Sequence, residues 1–277
     1  MQIHFVANPE RHWLDTAEEH CRRAFSLDPA LPEAHWAWSA ILWSPAKNFQ
    51  HEEAIAALQQ VLAARPNFDR AHNRMSAICL HIGRFEEARR AHELAMRANP
   101  KNRSYNLEFI YICTGDFARA EELADVWLKE APRARSSLWF HAQPPIYSGD
   151  LDLAAQRLAA GLQQFPDDPA ILSLQRMLHA ARGQEGPALE CVRQALASPH
   201  VFGHIHHVYN QIACVYSILG DIDKAMAWLE RTADTGNPYW PFFQIDPHLE
   251  NLRRNGRFQD LVAKLERKYS ALTIGRV

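Results

Sequence analysis

The strongest constraint on this chain is a register that returns about every thirty-four residues. Ala17, Ala54, Ala88, Ala120, Ala154, Ala188 and Ala225 hold one position of it, at successive spacings of 37, 34, 32, 34, 34 and 37 residues. Seven positions later stand Ala24, Val61, Ala95, Trp127, Gly161, Ala195 and Thr232, most of them small. Gly83, Gly115, Gly149, Gly183 and Gly220 precede their alanines by five residues, and Pro29, Pro66, Pro100, Pro132 and Pro166 close the units. A fixed period of this length describes one supersecondary unit stacked on copies of itself, not a chain folded around a single central core.

The unit Asp69–Asn102 shows what each copy is made of. Met75, Ile78, Cys79 and Ile82 form one apolar stripe at helical spacing, and Phe85, Ala88, Ala91, Leu94 and Ala95 form a second. Gly83 falls where the first helix must stop, a position that favours a left-handed backbone. The alanines let two helices approach closely, and the late proline ends the second helix. A pair of helices this small cannot bury its own apolar face, so neighbours must stack.

This grammar resembles the tetratricopeptide repeat, with its glycine between two helices, small residues seven apart on the second and a late proline. The likeness runs from roughly Ala17 to Gly236. It implies an all-α fold, a right-handed superhelical solenoid whose first helices line a concave groove, finished by a C-terminal helical cap. Residues 1–236 are expected to form about six units, the first incomplete, and residues 237–277 the cap. Because Ala17–Pro29 reads as a second helix with little before it, Met1 is expected to be a truncation point or an unusual start. The ending, Asp246-Pro247-x-Leu249-x-x-Leu252-Arg253 followed by Gly256-Arg257-Phe258-x-x-Leu261, resembles the close of tetratricopeptide regions in bacterial signalling proteins, behind kinase, cyclase or winged-helix domains. Asp246 before Pro247 suits a helix start.

Three places depart from the pattern. Pro144-Pro145 inside a first helix predicts a kink or break between His141 and Tyr147, since an interior proline costs ~3 kcal/mol. Extra residues around Ser44–Asn48 lengthen one turn, and the connection Ser198–His204 is also long.

Composition excludes some functions. A net charge of -2 and a pI near 6.7 give no basic excess for nucleic acid or a membrane surface, and no apolar run reaches eighteen residues. Five separated cysteines without a CxxC predict free buried thiols in a reducing, cytoplasmic setting. No phosphate loop, nucleophile elbow or zinc-protease motif is present, so neither an enzyme nor a cofactor is expected.

Two candidate sites remain. The family's concave positions carry Arg70, Asn73, Arg74, Asn102, Tyr105, Asn106, Phe109, Trp139, His207 and Asn210, a mixture of guanidinium, amide and aromatic groups suited to a peptide or protein segment. Of these, Trp139 and Phe109 are the ones expected to belong to the core. The alternative is a homo-oligomer, associating through the N-terminal unit or the aromatic C-terminal stretch. His200, His204 and His207, with His206 between them, form a weak metal-ligand cluster with no carboxylate or cysteine to complete it; ordinary histidines are the favoured reading.

Overall fold

The computed structural model describes residues 11–101, 104–197 and 204–275. An opening helix α1 (Arg11–Leu27) is followed by six helix pairs: α2 (Pro32–Leu42) with α3 (His51–Ala64), α4 (Asp69–His81) with α5 (Phe85–Ala98), α6 (Asn106–Thr114) with α7 (Phe117–Glu130), α8 (Arg135–Ser148) with α9 (Leu151–Gln164), α10 (Pro169–Ala181) with α11 (Glu185–Ala197), and α12 (Ile205–Ile218) with α13 (Ile222–Asp234). A short α14 (Trp240–Ile245), a 3-10 turn (Pro247–Leu252) and α15 (Gly256–Ser270) complete the elements among the described residues. Among the described residues there is no strand, and no helix is long and apolar enough to cross a membrane.

The repeating alanines explain the stacking. Ala54, Ala88, Ala120, Ala154, Ala188 and Ala225 are all 0% exposed, so each sits where a larger side chain would force two helices apart. The unit glycines, Gly83 to Gly220, take φ between 71° and 85°, as the helix stops require. Asp116, Asp150 and Asp221 then start the second helices by accepting from the backbone N–H three residues on. The first pair has no such glycine. Its extra residues form a 3-10 turn at Pro45–Lys47, after which Asn48 and Phe49 both lie in the left-handed region, and the Phe49 ring is buried. All five cysteines are free and buried.

Of the kink or break expected between His141 and Tyr147, the break does not occur: α8 is continuous from Arg135 to Ser148. Pro145 cannot donate to the carbonyl of His141, but the Arg157 guanidinium on α9 donates to that oxygen at 2.8 Å. An orphaned acceptor is thereby satisfied from the neighbouring helix, and both prolines are buried. The Asp246 carboxylate accepts from the His248 backbone N–H, as expected of a cap, although the element it starts is 3-10.

The C-terminal segment does more than cover the last pair. Tyr239, Phe242 and Phe243 are at most 1% exposed. The Tyr239 ring lies 6.4 Å from Phe109 of α6, and Phe242 lies 5.7 Å from Tyr147 of α8. Trp240 and Pro241 press on Gly83, at the α4–α5 turn. Beyond them, the Arg84 guanidinium donates to the carbonyls of Tyr269 (3.1 Å), Ser270 (3.3 Å) and Leu272 (3.1 Å), closing the end of α15. Gln59 of α3 donates to Thr273 at 3.3 Å. The last residues therefore pack on α3 and on the α4–α5 turn, in one continuous core that runs from Leu42 to Ile274.

Candidate functional site

The residues expected on a concave side divide into two sets. Toward the leading ends of α4 and α6, Arg70 is exposed, and Asn73, Arg74, Tyr105 and Asn106 are half-buried. These side chains link successive pairs. The Arg74 guanidinium donates to the Trp36 carbonyl (2.9 Å) and the Ser39 hydroxyl (3.2 Å) and lies 4.8 Å over the Trp36 ring. Burial pulls its pKa down to about 10. Asn106 donates to the Asn73 carbonyl at 3.0 Å. The Tyr105 hydroxyl is 2.9 Å from that of Ser136, and its ring stacks on Phe140 at 4.5 Å. Arg70 lies 5.7 Å over Trp36, whose ring approaches Phe68 to 6.3 Å. Phe68 also lines a depression of about 390 Å3 together with Arg65, Pro66, Asn67 and Asp69. Asn102 lies outside the described residues.

The second set turns inward. Phe109 and Trp139 are 7% and 8% exposed, as expected of core residues, and Asn210 is 1% exposed. The rings of Phe109 and Trp139 lie 5.3 Å and 5.9 Å from His207. His207 belongs to a group that sequence spacing shows only in part: one ring nitrogen from each of His81, His204, His206 and His207 lies within 4.8 Å of every other. His200 is outside the described residues. His81, at the end of α4, is 123 positions from His204, and no local pattern connects the two.

The ring orientations are fixed from behind. His81 Nδ1 is 2.8 Å from the Ala77 carbonyl, and His206 Nδ1 is 2.8 Å from that of Thr235. A carbonyl can only accept, so both Nδ1 atoms carry the proton and each Nε2 presents a lone pair. His81 Nε2 is buried without a hydrogen-bond partner, and His206 Nε2 faces His204 Nδ1 at 3.2 Å. Asn237 approaches His207 Nδ1 to 3.5 Å. His81 and His206 are buried and His204 and His207 half-buried. Desolvation, foremost, favours the neutral form of all four, pulling His204 down to about 4, His207 to about 3, and His81 and His206 well below the ordinary histidine range, with repulsion from neighbouring rings adding to the effect at His81, His206 and His207. Trp43 and Phe49 complete the wall. Trp43 is 4.9 Å from His81 and 5.2 Å from His204, and Phe49 is 4.9 Å from His206.

Tetratricopeptide-repeat family models match residues 46–108 and 206–231. No curated protein matches the sequence. Solved structures agree in fold. A tetratricopeptide repeat protein from Parabacteroides merdae superposes with a TM-score of 0.62 at 15% identity, covering 95% of each chain. A thermophilic repeat protein of Thermus thermophilus gives 0.50 at 17% identity over 71% of this chain and 98% of that one. A chain of the APC/C Cut9-Hcn1 hetero-tetramer gives 0.56 at 13% identity, covering 93% of this chain and 49% of that one. At these identities the likeness is one of fold.

Proposed function

From its tetratricopeptide-repeat build, we infer that this chain is a protein-interaction scaffold that holds a peptide or protein segment on the leading ends of α2, α4 and α6. One observation carries the reading. The inner face is filled by the chain's own Tyr239–Phe243 opposite Gly83 and Phe109, while Trp36, Arg70, Asn73, Tyr105 and Asn106 keep part of their surface in water. An exposed guanidinium over a tryptophan, beside paired amides, suits a segment that offers carboxylates and backbone carbonyls. The Cut9-Hcn1 assembly supports the class, being a hetero-tetramer built with a chain of this fold. The likeness of the closing segment to those of bacterial signalling proteins supports a place in a signalling system. Stacked repeats present extended surfaces for binding, which supports a role other than catalysis.

The test is a peptide selected on the immobilised chain from a display library, with its affinity measured by fluorescence anisotropy. Arg70→Glu is expected to weaken binding at least about tenfold, or ~1.4 kcal/mol, without shifting the melting temperature. Arg193→Glu, on the exposed face of α11, is expected to leave it unchanged. Equal affinity for wild type and Arg70→Glu overturns the assignment of this face.

A further inference from the structure

The scaffold reading makes no use of the four imidazoles that meet in the interior. We propose that His81, His204, His206 and His207 bind one late first-row transition-metal dication, of which zinc is the type, and that the ion ties the end of α4 to the start of α12.

Geometry is the first argument. Four-coordinate zinc holds imidazole nitrogens at about 2.0–2.1 Å, which sets them ~3.3 Å apart. The His204 Nδ1–His206 Nε2 separation is already 3.2 Å. The remaining pairs lie within 4.8 Å, so each nitrogen need move inward by less than ~1 Å to complete a tetrahedron. The moves are side-chain rotations, and all four ligands sit on ordered helix ends.

The second argument is the outer shell. Histidines that hold metals usually donate their other N–H to a carbonyl or carboxylate, which fixes the tautomer and aims the lone pair. His81 and His206 do so through Ala77 and Thr235. The result at His81 is a buried Nε2 lone pair with no N–H or O–H donating to it, on a ring whose centroid lies 5.3 Å, 5.2 Å and 5.2 Å from those of His204, His206 and His207. In a neutral cluster without an ion, such an acceptor has lost its water and gained no partner. A cation at the centre supplies that partner.

Chemistry selects the ion. The set is entirely imidazole, which suits zinc, copper, nickel and cobalt, whereas calcium and magnesium require oxygen ligands. The walls of Trp43, Phe49, Phe109 and Trp139 restrict water, and the ligands come from the second and the sixth helix pairs, as a structural clamp requires. The competing outcome is a packing cluster only, with the rings serving as polar aromatics in the core.

The experiment uses the untagged full chain, stripped with a chelator and dialysed against zinc. Wild type is expected to retain one equivalent by elemental analysis, to melt at a higher temperature with zinc than without, and to give the intense visible bands of tetrahedral Co2+ when cobalt replaces it. His81→Phe keeps an aromatic ring in place and is expected to lower zinc affinity at least 100-fold, and His206→Gln is expected to do the same. His72→Gln, also on α4, is expected to bind as wild type does. Absence of a one-equivalent site in wild type, or wild-type affinity in His81→Phe, overturns the proposal. If either substitution prevents folding, zinc-edge X-ray absorption of loaded wild type decides the matter: three or four imidazole ligands support the site, and fewer overturn it.

Discussion

The backbone of Gly236 lies against the ring of Phe49 with φ at +106°, and His51 donates to its carbonyl at 3.1 Å. A Cβ at this position would overlap the Phe49 ring and come within 2.8 Å of its Cβ. Phe49 cannot retreat easily, since it is fixed in the left-handed region and packed against His206 and Trp43. Gly236→Ala therefore combines backbone strain with overpacking, and we expect it to cost about 3 kcal/mol by denaturant unfolding. Gly115→Ala is the control. Its φ is +80°, but nothing lies within 4 Å of an added Cβ, so strain alone should cost it about 1 kcal/mol. Equal losses in the two variants would show that the contact with Phe49 contributes nothing.

At the scale of the element, α8 shows where sequence reading stops. The helices themselves are legible, because apolar spacing, glycine stops and repeated alanines are local or periodic signals. The continuity of α8 through Pro144-Pro145 is not, because the compensating donor, Arg157, belongs to another helix. This pairing can be tested by a double-mutant cycle. Arg157→Met should cost about 2 kcal/mol or more in wild type, since it leaves the His141 carbonyl without its donor and breaks the ion pair with Glu121. With Pro145→Ala the backbone can supply its own N–H to that carbonyl. The cost of Arg157→Met should then fall by about 1 kcal/mol, the remainder being the Glu121 pair. Strict additivity would mean that Arg157 does not serve the carbonyl freed by the proline.

For the molecule as a whole, the sequence pattern gives the array but not what fills its interior. Tyr239, Phe242 and Phe243 are visible as an aromatic run, yet their contacts with α6, α8 and Gly83 depend on how the pairs curve. The histidine cluster is half legible for the same reason: His204, His206 and His207 are neighbours in sequence, whereas His81 arrives only through the closure of the array. Closure also buries titratable groups, and that has a consequence for the metal-free chain. His51 is pulled down to about 4 chiefly by burial, alongside His81, His204, His206 and His207. For a depressed histidine the folded state binds fewer protons than the unfolded chain. Its stabilising contribution is present above an unfolded pKa near 6.5 and is lost as pH falls from there toward the folded value. For His51 alone the fall from 6.5 to about 4 corresponds to roughly 3 kcal/mol. Glu108 works the other way. Its buried carboxyl is raised by desolvation and by Glu121, so its contribution is present at low pH and lost as pH rises, but it is one group against these histidines, which His92 and His141, also lowered chiefly by burial, join. In the presence of a chelator, the melting temperature is therefore expected to be nearly level above pH 7. It should fall by about 10 °C or more between pH 6.5 and 4. His51→Gln, which cannot take up the proton, should make that decline shallower. A wild-type melting temperature that stays level down to pH 4 would mean that these imidazoles are not buried and neutral in the folded chain.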